Sequence, residues 1–170
     1  MTVTVVAGNP KPGSRTLEAA GLLASQLTGG QADQEIDVVT LGAGLLGWGD
    51  EAVKAAVDTV ASSDIVVFAS PTFKATYTGL LKLFLDQFAT DEGLRDVVAV
   101  PLMLGAGPAH ALAPDLLLKP VLVELGAITP APGLYLLDSS YTTDTRIVDY
   151  ARRWGPTVTA AADARKGASA

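Results

Sequence analysis

Three short polar or glycine-rich segments carry residue types suited to a ligand site, the first of them to a small phosphorylated ligand. The first is Gly8-Asn-Pro-Lys-Pro-Gly-Ser-Arg-Thr16. Asn9, Ser14 and Thr16 offer short polar side chains, Gly8 and Gly13 permit tight turns, and Arg15 can make a charge-assisted fork to a phosphate. Where a helix follows such a segment, its first N–H groups and positive end also favour an anion, and Lys11 adds a second cation. A plainer reading leaves Ser14 or Thr16 as a helix N-cap and Arg15 as a solvated side chain. Neither Gly-x-x-x-x-Gly-Lys-Ser/Thr nor Gly-x-Gly-x-x-Gly is present in the segment. The second segment contains Pro71, Thr72, Phe73, Lys74 and Thr76, and the third is Leu104-Gly-Ala-Gly-Pro-Ala-His110.

Each segment sits between a run that reads as a strand and a run that reads as a helix. Thr2 to Ala7, Ile36 to Thr40, Asp64 to Ala69, Val97 to Met103 and Gly133 to Leu137 are short, apolar and β-rich. Helical periodicity predicts helices near Leu17 to Leu27, Glu51 to Ala61, 78 to 88, Pro108 to Glu124 and Thr145 to Ala164. Five alternating strand and helix units imply a parallel sheet with right-handed crossovers. In such sheets the loops at the carboxyl ends of strands bind ligands, so the three segments are expected side by side at one edge.

Composition bounds the chemistry. The chain has 170 residues with 49% hydrophobic and 18% charged content, which suits one globular domain. With no cysteine and one histidine, disulfides and thiol catalysis are excluded and a histidine-built metal centre has little scope. No metal site is expected. A net charge of −6 without a clustered basic face argues against nucleic acid. No apolar run approaches a membrane span, and Met1 leads straight into a strand without a basic or apolar leader, so a cytoplasmic protein is expected.

At Ala7-Gly-Asn-Pro-Lys-Pro-Gly-Ser-Arg-Thr16, Ser70-Pro-Thr-Phe-Lys-Ala-Thr-Tyr-Thr-Gly-Leu-Leu-Lys82 and Gly105-Ala-Gly-Pro-Ala-His110, continuing through Leu118-Lys-Pro-Val-Leu122, the chain resembles the NAD(P)H-dependent FMN reductases of the flavodoxin-like superfamily. It is similar to the reductases that accompany sulfonate monooxygenases. The resemblance implies FMN and NAD(P)H as cofactors, with Ser14, Arg15 and Thr16 holding the FMN phosphate and Asn9 where the family often has Ser. Pro71, Thr72, Phe73, Lys74 and Thr76 would border the ribityl chain and isoalloxazine. Backbone N–H groups of Gly105, Ala106 and Gly107 would meet the pyrimidine edge, with the glycines admitting close approach to the ring. Where the family commonly shows Tyr and Thr-Gly-Gly, this chain has Phe73 and Leu104-Gly-Ala-Gly107. Related reductases can also carry an aromatic insertion in the fourth helix, where this chain has Asp115-Leu-Leu-Leu118.

The resulting reading is one flavodoxin-like, doubly wound α/β domain over 1–170, strand order 2-1-3-4-5, with the last few residues disordered. It would pass hydride from nicotinamide to FMN and supply reduced flavin to a partner monooxygenase. The alternatives are an FMN-bound quinone or azo-compound reductase and, outside enzymes, a flavodoxin-type electron carrier. No catalytic acid or base is assigned, and His110 is expected to make a structural hydrogen bond. A homodimer or homotetramer is implied by the resemblance. The helix over 78 to 88, rich in Leu and Phe, would contribute to the subunit contact.

Overall fold

In a computed structural model of the chain, the backbone is described for residues 1–168 and side chains for 1–165, so the expectation about the last few residues lies outside the described region. Five strands, β1 (Val3–Ala7), β2 (Gln34–Asp37), β3 (Ile65–Pro71), β4 (Val98–Gly105) and β5 (Leu134–Leu137), form one parallel sheet in the order β2-β1-β3-β4-β5. The expected strand order is therefore the observed one. β1, β3 and β4 are buried along their whole length, as central strands covered on both faces must be.

Helices α1 (Arg15–Thr28) and α5 (Arg146–Ala168) share one face of the sheet. Val3, Val5, Ile65, Val67 and Leu102 of the strands pack there with Ala20, Leu23, Ile147 and Val158 of the helices. The other face carries α2 (Glu51–Ala61), α3 (Gly79–Leu85) and α4 (Lys119–Glu124), around Val6, Val66, Phe68 and Met103. The chain therefore winds both ways from β1. The carboxyl ends of β1 and β3, adjacent strands whose crossovers leave on opposite faces, form the switch point where open α/β sheets take ligands.

The chain departs from the sequence expectations in four places. β2 runs over Gln34–Asp37, and Val38–Leu46 is a 3-10 segment interrupted at Gly42. Val38 and Leu45 are buried without joining the sheet, because a short apolar run does not by itself distinguish a strand from a helical turn. The helix predicted over 78 to 88 ends at Leu85, with Thr78 as its N-cap.

The fourth helix is not continuous. A 3-10 turn at Pro108–His110 is followed by a π-turn at Pro114–Leu118, in which the Lys119 N–H donates to the Pro114 carbonyl, and only then by α4. Pro108, Pro114 and Pro120 each lack an N–H and restrict the residue before them, which breaks a uniform ladder. Finally, Leu81, Phe84, Leu85 and Phe88, part of the apolar excess assigned to a subunit contact, are buried in this chain's own core. Leu83, 36% exposed, is what remains at the surface of α3, whereas Leu112, Leu116 and Leu117 are exposed around the π-turn.

Candidate functional site

The loop between β1 and α1 starts at Gly8, whose N–H donates to the Ala69 carbonyl of β3 at 2.8 Å. A Cβ on Gly8 would lie 2.3 Å from the Leu81 Cβ, so α3 packs directly against this glycine. Asn9 Nδ2 donates to Thr16 Oγ1 at 2.9 Å, and Asn9 Oδ1 accepts the Lys11 N–H at 2.9 Å, which ties the loop across its own base. Gly13 is left-handed (φ 59°), and its N–H donates to Asp37 Oδ2 at the end of β2. Ser14 caps α1 by accepting the Leu17 N–H.

The plainer reading thus holds for Ser14, and Thr16 is buried beneath the loop. The cap leaves the Arg15 and Thr16 N–H groups outside the ladder of a 14-residue helix, at its positive end. Arg15 does not fold over the loop. Its Nη1 donates to the Asp138 carbonyl at 2.9 Å, and its Nη2 lies 3.7 Å from Asp138 Oδ2.

The loop between β3 and α3 turns tightly at Phe73–Thr76, with reciprocal backbone bonds between those two residues. Lys74 (φ 51°) and Ala75 (φ 71°) are both left-handed, a conformation that costs non-glycine residues about 1–2 kcal/mol each. Strain of this kind gathers at ligand sites. Phe73 is half exposed and Lys74 is exposed.

The Thr72 N–H donates to the Leu104 carbonyl, while its Oγ1 is buried with no hydrogen-bond partner among the described residues. A buried hydroxyl left in that state costs about 1–3 kcal/mol. Thr78 Oγ1 donates to the Gly8 carbonyl at 2.5 Å and accepts the Leu81 N–H, so one side chain caps α3 and fastens the first loop to the second. The Ser70 hydroxyl accepts the Thr78 N–H and sets that cap in place.

The third loop follows β4. The Tyr135 hydroxyl donates to the Gly107 carbonyl at 2.8 Å, and a Cβ on Gly105 would fall 1.9 Å from that hydroxyl oxygen and 3.3 Å from Thr72 Oγ1. The sequence expectation gave this glycine a bare backbone for the sake of a ring. In the structure the space of its missing Cβ is taken by Tyr135. Gly107 meets nothing there and Ala106 is exposed, so their backbone is open to a ligand edge.

His110 is exposed and its ring makes no hydrogen bond among the described residues, so the structural bond expected for it is not formed. Among the described residues no group of three His, Asp or Glu is placed to hold a metal ion. No helix of the described residues is long and apolar enough to cross a membrane.

The structure brings Asn9 and Ser14 to Thr16 onto loops adjoining Pro71 to Thr76 and Gly105 to Gly107 at one edge of the sheet. Sequence reasoning missed Asp37, Thr78, Tyr135 and Asp138, which shape those loops from other elements. Thr78 carried a readable signal, a hydroxyl immediately before an apolar-periodic run. Tyr135 and Asp138 did not, because their partners lie 28 and 123 residues away in the chain.

A family model described as NADPH-dependent FMN reductase matches residues 1–142. The chain is 34% identical to an FMN reductase (NADPH) of Escherichia coli K12 over 102 residues, 60% of this chain and 50% of that protein. It is 33% identical over 79 residues, 46% of this chain and 42% of the relative, to an NADH-dependent FMN reductase, SfnF, of Pseudomonas putida. The chain thus spans about half the length of the curated relatives it matches. Among solved structures, an NADH:FMN oxidoreductase (EmoB) in its apo form superposes with a TM-score of 0.79 at 28% identity, covering 96% of this chain and 89% of that one. A flavodoxin, WrbA-like protein from Agrobacterium tumefaciens shares the fold, with a TM-score of 0.65 at 18% identity over 97% of this chain and 99% of that one. Since the family model takes in all five strands and the three loops between them and their helices, the chain belongs to the NADPH-dependent FMN reductase family.

Proposed function

We propose that this chain is an FMN reductase that oxidises NAD(P)H and delivers reduced flavin to a partner monooxygenase. One observation carries the fit of FMN to these residues: the buried, unpartnered Thr72 hydroxyl beside Gly105, where the second and third loops meet. A heteroaromatic edge rich in carbonyl and N–H groups satisfies such a hydroxyl, and half-exposed Phe73 beside it suits an apolar ring face. Ser14, Arg15 and Thr16 would hold the phosphate, with Asn9 bracing their loop. Pro71, Thr72, Phe73, Lys74 and Thr76 would line the ribityl chain and ring, and the backbone of Gly105, Ala106 and Gly107 the pyrimidine edge. When bound, the flavin supplies the ring that accepts hydride from nicotinamide. The chain's part is to fix orientation and field, so no acid–base residue is assigned.

The test is steady-state oxidation of NADH and NADPH with FMN, FAD, riboflavin and quinones as acceptors. A clear preference for FMN supports the reading. Turnover with quinones and none with free FMN overturns it in favour of a bound-flavin quinone reductase. The chain would act as a homo-oligomer, and sedimentation as a monomer at micromolar concentration would remove that part.

A further inference from the structure

Arg15 is already engaged before any ligand arrives. It reaches Asp138, the first residue after β5, through two different groups: the backbone carbonyl accepts from Nη1 at 2.9 Å, and the carboxylate lies 3.7 Å from Nη2. The Asp138 backbone is itself anchored, its N–H donating to the Gly105 carbonyl at 3.0 Å. Three residues further on, Tyr141 donates its hydroxyl to Glu18 Oε2 at 2.9 Å, one turn along α1 from Arg15. The segment after β5 thus grips the first turn of α1 and is fastened to the third loop. The placement of Arg15 comes from a carbonyl. The carboxylate adds a charge at a distance too long for a hydrogen bond.

We propose that Asp138 is a positioning residue that sets how loosely the flavin phosphate is held. Its carboxylate is a resident counter-ion of Arg15, and an incoming phosphate must share that cation or displace the acid. The inference rests on the reading that Arg15 meets the FMN phosphate. It goes further by making flavin retention adjustable from a residue outside all three ligand loops. A phosphate site whose cation is partly neutralised suits a flavin that leaves after reduction, since a free arginine would hold the dianion more firmly. On the opposite side, Asp37 takes the Gly13 N–H and so removes one more donor from the phosphate's reach.

The experiment compares FMN with riboflavin in the full-length protein, by fluorescence titration at low and at moderate salt. Asp138→Asn keeps the backbone carbonyl and N–H and removes only the charge. It is expected to tighten FMN by about threefold at low salt, the scale of an exposed ion pair, with the gain shrinking as salt rises and with riboflavin unchanged. Asp138→Ser, read the same way, guards against a fault peculiar to the amide. FMN bound equally or more weakly by both variants, or both flavins tightened alike, overturns the inference. Arg15→Ala separates the two levels of the argument. If it weakens FMN and riboflavin equally, the phosphate assignment itself falls. If it weakens FMN selectively while the Asp138 variants leave FMN unchanged, only the role of Asp138 falls.

Discussion

The loops after β1 and β3 lie side by side at one edge of the sheet, yet they are completed in opposite ways. In the first, the Asn9 side chain reaches Thr16, the Gly13 N–H reaches Asp37, Ser14 caps α1 and Arg15 reaches Asp138, so these polar groups all have a partner inside the protein. In the second, Thr72 keeps a buried hydroxyl with no partner, and Lys74 and Ala75 hold left-handed backbone that neither side chain favours. A helix start can satisfy itself by capping and still attract an anion with its remaining N–H groups and dipole. The second loop has no such local solution: its unmet hydroxyl and left-handed backbone remain in the folded chain, and on the reading proposed above they are what a flavin would meet.

The largest effect is expected where the second and third loops meet. Gly105→Ala would drive a Cβ into the Tyr135 hydroxyl, an overpacking of about 1–3 kcal/mol measurable in thermal or urea unfolding, and flavin affinity should fall with it. Adding Tyr135→Phe removes the colliding oxygen and should restore part of the stability. A double variant no more stable than Gly105→Ala would show that the crowding lies elsewhere.

Next, Arg15→Ala should weaken FMN about tenfold and riboflavin little, since a hydrogen bond to a charged group contributes about 1.5–3 kcal/mol. Thr72→Val should then cost flavin affinity about fivefold, one ordinary hydrogen bond, while leaving the ligand-free protein no less stable. A variant that loses stability but not affinity would make Thr72 a structural residue and remove the contrast between the loops.

Ala75→Gly relieves one left-handed position and should raise stability by up to about 1 kcal/mol, read as a small increase in Tm. The smallest effect concerns the first loop's support. Burial, and then the bond to Glu18, raise the Tyr141 phenol above its usual pKa of 10.0. The folded chain therefore binds that proton more tightly than the unfolded chain does. The contribution is complete below about pH 10 and is lost as pH rises through the higher folded value, so unfolding should become easier in that alkaline window. Tyr141→Phe should flatten the dependence, and an unchanged profile would remove Tyr141 as its source.

Much of this architecture was legible because it is local. Apolar runs placed β1, β3 and β4, and the helical periodicity of α1 and α3 placed the two loops around the switch point. The contrast between the loops was not legible, since Phe73 and Thr72 look no less ordinary in sequence than Ser14 and Arg15. What distinguishes them is whether a distant residue completes their side chains: Asp138 does so for Arg15 across the sheet edge, and none of the described residues does so for the Thr72 hydroxyl. The β2 and fourth-helix departures have the same origin. Val38 is buried by tertiary packing outside the sheet, and the spacing of Pro108, Pro114 and Pro120 overrides an otherwise helical composition.

The two hydrogen bonds of the Thr78 hydroxyl also set a spacing within the site. By donating to the Gly8 carbonyl while capping α3, Thr78 makes the first and second loops one mechanical piece, and Leu81 closing on Gly8 leaves no slack between them. The spacing between Gly8, where the first loop begins, and Thr78, where the second ends, is therefore set by the scaffold. On the proposed reading, a flavin touching both loops would be selected by the length of the chain joining its phosphate to its ring.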